Sequence, residues 1–285
     1  MLIDLFPAFL EYWDKVKSLP IDEQIEEWAN DYLSTWPELL EKQVDDYRTQ
    51  NLDWRDIARE KIFPFLPQRL DAMRAAHANL LSLCEPTFTK ARQILKFDSD
   101  LVFVIYVGIG CGAGWATTFQ NTPAILFGLE NIAECGWEQE DSLAGLIAHE
   151  LGHVVHHHWR SRFGKPLDDT AWSQLLDEGF AQYCQNLIVQ ENKFHQGATQ
   201  ESADWLTWCQ DHKTQLASEF LRTVDANEPV SKFFGSWLEI DGHSETGYFL
   251  GYEVIRNLLG RGFSLQEIAL LNPEEYARPI LEEMA

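Results

Sequence analysis

Basic residues are scarce in this 285-residue chain: 22 Lys and Arg face 45 Asp and Glu, for a formal net charge of −23. Affinity for duplex nucleic acid comes from cations that neutralise phosphates, so this balance argues against a nucleic-acid partner. An anionic membrane surface is disfavoured for the same reason. Uninterrupted apolar sequence is missing too. No segment approaches the 18 residues a membrane-crossing helix needs, and Asp4, Glu11 and Asp14 interrupt the opening stretch where a secretory signal would be uncharged. Cysteine is sparse. Cys84, Cys111, Cys135, Cys184 and Cys209 are odd in number, scattered and without a C-x-x-C pair, which reads as reduced thiols rather than a disulfide framework. The expectation is a cytoplasmic protein with no membrane partner. There is no internal repeat, low-complexity tract or Ser/Gly linker.

What the chain does have is core-forming material. Apolar residues make up 45% of it, with 11 Trp, 17 Phe and 8 Tyr, which excludes a disordered acidic tail and allows one large domain or two small ones. Ile21, Ile25, Trp28, Tyr32 and Trp36 recur at helical spacing up to Pro37, and segments 38–50, 53–63 and 67–83 continue the pattern. Near residue 100 the texture changes. Residues 101–107 form an unbroken β-branched and aromatic run, and 115–120 and 124–129 read as further short strands around Asn121-Thr122-Pro123. Helical signals return at Ser142 and persist to the end. The fold class expected is α+β and mostly helical. A helical region over 1–97 precedes a second region over 98–285, which holds a small sheet and then helices.

The chemistry concentrates in His149-Glu150-Leu151-Gly152-His153, an H-E-x-x-H motif in an apolar helical context. Positions i and i+4 lie one turn apart on one helix face, so both imidazoles can reach a single ion. Neutral imidazole is a good Zn²⁺ ligand. Glu150 then stands beside the metal as general base for a water acidified by it. Two His and a Glu in a buried helix need a compensating partner, which favours a metal over chance occurrence. The metzincin extension would need Gly at 155 and His at 159, but the chain has Val155 and Trp159. A third ligand is therefore sought on the next helix. Thr170 can cap a helix over 171–189 that carries Asp177-Glu178-Gly179-Phe180-Ala181, and Glu178 falls 25 residues after His153. Gly152 lets some other group approach the motif helix closely, and Gly179 would let the two helices pack closely at the metal. His156, His157 and His158 read chiefly as a helix C-terminus, where they complement the dipole together with Arg160 and Arg162. The alternative for His156, on nearly the same face as His153, is to back a metal ligand or to face the substrate.

The pair His149-Glu-Leu-Gly-His153 and Asp177-Glu-Gly-Phe-Ala181 resembles the gluzincin zinc metallopeptidases. With Gly247-Tyr-Phe-Leu-Gly251-Tyr, it is similar to bacterial proteins predicted to be zinc-dependent proteases. The resemblance covers about 80 residues. It implies a zincin-like core with a small sheet beside the metal helix, and Zn²⁺ held by His149, His153 and Glu178. Glu150 is then the general base, and the substrate a peptide or protein. Asp177 stands where many relatives have Asn. By the same analogy Tyr248, with His243 as the alternative, stabilises the oxyanion, and Glu130 in Gly128-Leu-Glu130-Asn131 is a candidate for holding a substrate N-terminus. An extended peptide is expected to align on strand 124–129. Gly108-Ile-Gly110-Cys-Gly-Ala113 formally fits a dinucleotide fingerprint, but the residues after it leave no room for the helix that reading needs. Two alternatives use the same site: a zinc-dependent amidase or esterase acting on a small molecule, and a non-catalytic zinc-containing binding protein. The acidity lies mainly outside the motifs. Residues 1–60 and 201–285 each carry 15 acids against 6 bases, and the central 61–200 only a net −5.

Overall fold

The computed structural model describes residues 1–190, 200–235 and 238–285. The chain is mostly helical with a small mixed sheet, the α+β class expected. It forms two compact units, residues 1–89 with 98–147, and residues 90–97 with 148–285. The expected helical signal over 191–199 and 236–237 lies outside the described residues. No helix among the described residues is long and apolar enough to cross a membrane. None of the five cysteines forms a disulfide.

The first unit begins with a strand that helical periodicity misses. β1 (Leu2–Asp4) precedes α1 (Phe6–Val16), α2 (Ile21–Glu27), α3 (Pro37–Thr49), α4 (Trp54–Ile57) and α5 (Leu66–Leu95). Three residues are too few to show a period, and β1 exists because it pairs with β2 (Val102–Tyr106) in parallel. β3 (Gly114–Phe119) and β4 (Thr122–Gly128) follow, giving the order β1-β2-β4-β3. β2 and β4 are parallel. β3 returns antiparallel on β4 through a tight turn at Gln120 and Asn121, both with positive φ. β4 is thus hydrogen-bonded on both sides, so the expected alignment of a substrate peptide on residues 124–129 does not hold. The edge strand next to it is β3. The segment after β2 leads into β3 and not into a helix, which removes the dinucleotide reading.

Residues 107–110 leave the sheet while buried, so their backbone groups need side-chain partners. Trp28 Nε1 donates to the Val107 carbonyl at 3.0 Å, and the Tyr32 hydroxyl accepts from Val107 N–H at 3.1 Å. The Tyr47 hydroxyl donates to the Ile109 carbonyl at 2.8 Å, and Gln43 Oε1 accepts from Ile109 N–H at 3.2 Å. Glu130, in the first turn of α6 (Leu129–Cys135), completes the set. Its carboxylate accepts from Gly108 N–H at 2.7 Å and Gly110 N–H at 3.2 Å, and the residue has no exposed surface. The sequence analysis offered Glu130 for a substrate N-terminus. The structure commits its carboxylate to this loop.

α7 (Glu140–Arg162) carries the H-E-x-x-H motif, and its residues from 148 on belong to the second unit. Next come α8 (Ala171–Val189), α9 (Gln200–Asp211), α10 (Lys213–Asp225) and α11 (Ser231–Phe234). A two-residue hairpin, β5 (Glu239–Ile240) with β6 (His243–Ser244), interrupts the helices. α12 (Thr246–Gly260), α13 (Leu265–Ala269) and α14 (Pro273–Met284) finish the chain. α8 is the core of this unit. It runs over the expected residues, the Thr170 hydroxyl caps it by accepting from Ser173 N–H, and it buries Leu175, Leu176, Phe180 and Ile188 among others.

Glycine sets how closely the site-bearing helices cross. A Cβ on Gly152 of α7 would lie 2.6 Å from Ala181 Cα of α8. A Cβ on Gly179 of α8 would lie 2.2 Å from the Gly251 carbonyl carbon of α12. The close approach expected at Gly152, for which the sequence named no partner, is made by α8. Gly179 serves a different pair, α8 and α12, and so governs the approach of the Tyr248 helix and not that of the motif helix.

Candidate metal centre

Every residue of the centre lies in the second unit. The i, i+4 spacing on α7 stacks the His149 and His153 rings, with centroids 4.8 Å apart. α8 brings Glu178 between them. His149 Nε2 and His153 Nε2 are 3.1 Å apart, and Glu178 Oε2 lies 3.2 Å from the first and 3.3 Å from the second. Ligands about 2.0–2.1 Å from a tetrahedral ion sit about 3.3–3.4 Å from one another. The triangle of two imidazole nitrogens and one carboxylate oxygen matches one face of such a tetrahedron in both spacing and donor type. The residues present therefore fit Zn²⁺, and His149, His153 and Glu178 are the group that could hold it.

Electrostatics tie the cluster together. Burial alone would lower the basicity of His153, but the carboxylates of Asp177 and Glu178 outweigh it and hold the pKa well above the ordinary imidazole value. Burial would raise Glu178, yet His153 and His149 bring it down to about 2.

Asp177 was noted from sequence only as a departure from the usual Asn. The structure makes it a hub. Its Oδ2 lies 3.0 Å from His153 Nδ1 and 2.9 Å from His157 Nε2, and its Oδ1 lies 2.6 Å from His156 Nδ1. Three imidazoles converge on one carboxylate. Burial would raise the Asp177 pKa, but these histidines, His153 foremost, hold it well below the usual carboxylate range. A carboxylate against Nδ1 of a ligating histidine fixes ring orientation and tautomer, leaving Nε2 for the metal. His153, His157 and Asp177 also form a second set of closely spaced donor atoms. Their 2.9–3.0 Å separations centre on a single oxygen, which His157 Nε2 hydrogen-bonds and His153 Nδ1 faces at ion-pair distance without hydrogen-bond alignment. The reading of residues 156–158 chiefly as a helix end is corrected for His157 and for His156, whose alternative as a residue backing the centre fits its contact with Asp177. The signal for this was on the page: five of nine histidines fall within residues 149–158, and His156 follows His153 by three.

Glu150 is buried on α7, and its charge, together with those of Glu178, Glu245 and Asp177, reaches Tyr248. Tyr248, in the first turn of α12, places its ring 5.8 Å from the His149 ring. Burial first, then the surrounding carboxylates, push its phenol well above the ordinary value, so the hydroxyl keeps its proton and can donate it. His243 is placed elsewhere, on β6, stacked on Trp208 with centroids 3.9 Å apart. Glu245, three residues before Tyr248, was given no role from sequence. It adopts a left-handed conformation (φ 59°) ahead of α12, and its backbone carbonyl accepts from Tyr248 N–H at 3.2 Å.

No family model, curated protein or solved structure matches the chain.

Proposed function

We propose that this chain is a zinc-dependent hydrolase of peptide bonds, built on a zincin-like core of the gluzincin kind. The observation that carries the reading is the convergence of His149 Nε2, His153 Nε2 and Glu178 Oε2 to within 3.1–3.3 Å, from positions 4 and 25 residues apart in sequence. His149, His153 and Glu178 would hold the metal, and Asp177 would hold His153 in the ligating tautomer. When bound there, Zn²⁺ supplies Lewis acidity and lowers the pKa of a water toward about 7. Glu150, next to the first ligand and outside the donor triangle, is the proton acceptor for the attacking water and returns that proton to the leaving amine. Tyr248 offers a protonated hydroxyl beside His149, where an oxyanion formed from the carbonyl would need a donor.

The three protein donors found among the described residues leave a tetrahedral ion one open position, which a catalytic site needs and a closed structural site lacks. That favours a catalytic use over a non-catalytic zinc holder. The test is metal analysis of the purified chain paired with Glu150→Gln. The expected result is about one zinc per chain in both proteins, with chelator-sensitive cleavage of a peptide library by the parent only. A parent chain without zinc, or a Gln variant that still cleaves, refutes the proposal. Cleavage of small amides or esters but of no peptide would move the function to the small-molecule class.

A further inference from the structure

His156 is the most deeply enclosed polar side chain around the centre, with no exposed surface. Its ring lies flat on Phe180, with centroids 4.5 Å apart and planes 18° from parallel. A phenylalanine or leucine would fill that slot at lower cost. Histidine there leaves Nε2 buried without a hydrogen-bond partner among the described residues, a cost an apolar side chain would not carry. The other nitrogen offsets it, since Nδ1 makes the shortest contact in the cluster, 2.6 Å to Asp177 Oδ1. Burial lowers the basicity of His156, so the ring is neutral and carries its single proton where the acceptor is, on Nδ1.

From this we infer that His156 is a positioning residue for the metal centre, one link further out than Asp177. The deduction rests on the zinc reading above. His156 Nδ1–H fixes Oδ1 of Asp177, which turns Oδ2 toward His153 Nδ1, 3.0 Å away, and so aims His153 Nε2 into the donor triangle. His157, partly exposed, bonds the same Oδ2 and shares it with His153. Among the described residues His156 alone hydrogen-bonds the opposite oxygen, so the carboxylate plane is set by His156. The same geometry accounts for Asp in place of Asn at 177. Among the described residues, two hydrogen-bonding imidazoles and a third ring nitrogen at 3.0 Å face this side chain, and an Asn amide would turn its own NH₂ against one of them.

The experiment compares zinc affinity, by chelator competition, in the full-length parent, His156→Phe and His156→Asn, with the melting temperature of each metal-free protein measured alongside. Phe keeps the stack on Phe180 and removes the donor, whereas Asn restores an N–H close to the Nδ1 position. Loss of a direct outer partner of a metal ligand costs about 10–100-fold in affinity. One link further out, His156→Phe should lose about tenfold, at an unchanged or raised metal-free melting temperature, and His156→Asn should recover most of the loss. Equal zinc affinity in the parent and in folded His156→Phe overturns the inference and leaves the metal centre standing. Weakened affinity in both variants, with no recovery by Asn, assigns His156 to packing and also overturns it. A parent chain with no zinc affinity overturns the metal reading and this inference together.

Discussion

The crossing of α8 and α12 at Gly179 and Gly251 gives the most direct quantitative test of how this fold builds its centre. A Cβ added at Gly179 would sit 2.2, 2.3 and 2.6 Å from the carbonyl carbon, carbonyl oxygen and Cα of Gly251. Ordinary carbon–carbon contacts start at about 3.5 Å, so Gly179→Ala forces the helices apart by roughly 1.3 Å. The obstacle is backbone and cannot swing aside as a side chain would. Overpacking of this kind costs about 1–3 kcal/mol, here toward the upper end. Alanine returns up to about 1 kcal/mol of helix propensity, which leaves a net loss of about 2 kcal/mol. In a domain of this size that lowers the melting temperature by at least about 4 °C. The movement also reaches the chemistry, because Glu178 adjoins Gly179 and Tyr248 precedes Gly251 by three residues. A displacement near 1 Å can cost about a hundredfold in rate. Thermal denaturation followed by circular dichroism, with peptidase assays well below the transition, reads both effects. Gly260→Ala is the control: it ends the same helix α12, no atom lies within 4 Å of its added Cβ, and it should be neutral or slightly stabilising. If Gly179→Ala melts no lower than the parent, the close-crossing argument is wrong.

The parts of this molecule that were legible in sequence are those written in local spacing. The i, i+4 pair His149 and His153, the Thr170 cap with its helix over 171–189, and the buried run that became β2 each need only a few consecutive residues to declare themselves. Glu178 was reachable because its motif has a recognisable neighbour pattern. What stayed hidden depends on partners far along the chain. β1 has too few residues to show a period and is created by pairing with β2, about 100 positions later. Gly179 announced a close approach, expected with the motif helix, but it is α12 that makes it. Asp177 looked like a variant letter until α7 and α8 packed and placed three imidazoles around it. Glu130 carried a motif suggestive of substrate binding, and only the path of residues 107–110 reveals that its carboxylate is spent on backbone N–H groups.

Two further substitutions probe the chemistry and the fold separately. Tyr248→Phe should keep zinc and lower kcat by about 10²–10³-fold with little change in KM, the signature of a lost oxyanion donor; an unchanged kcat would reassign Tyr248 to packing against Phe234. Glu130 carries a pH signature. Burial raises its pKa from 4.5 to about 7, although the Gly108 and Gly110 N–H groups pull the other way. The folded chain therefore holds this proton more tightly than the unfolded chain. The stabilisation is complete below about pH 4.5, declines as pH rises toward 7, and is gone above it, a change on the order of 3 kcal/mol. The depressed carboxyls, Asp177 and Glu178, act in the opposite sense and at lower pH, so they leave the upper part of this window clear. Glu130→Gln cannot ionise, and its local hydrogen-bond cost is the same at every pH. Urea unfolding at pH 5 and pH 8 should show the parent losing more stability across the interval than the Gln variant, by about 2 kcal/mol or more. Parallel losses in the two proteins would mean that Glu130 is not the buried, proton-holding clamp of residues 108–110.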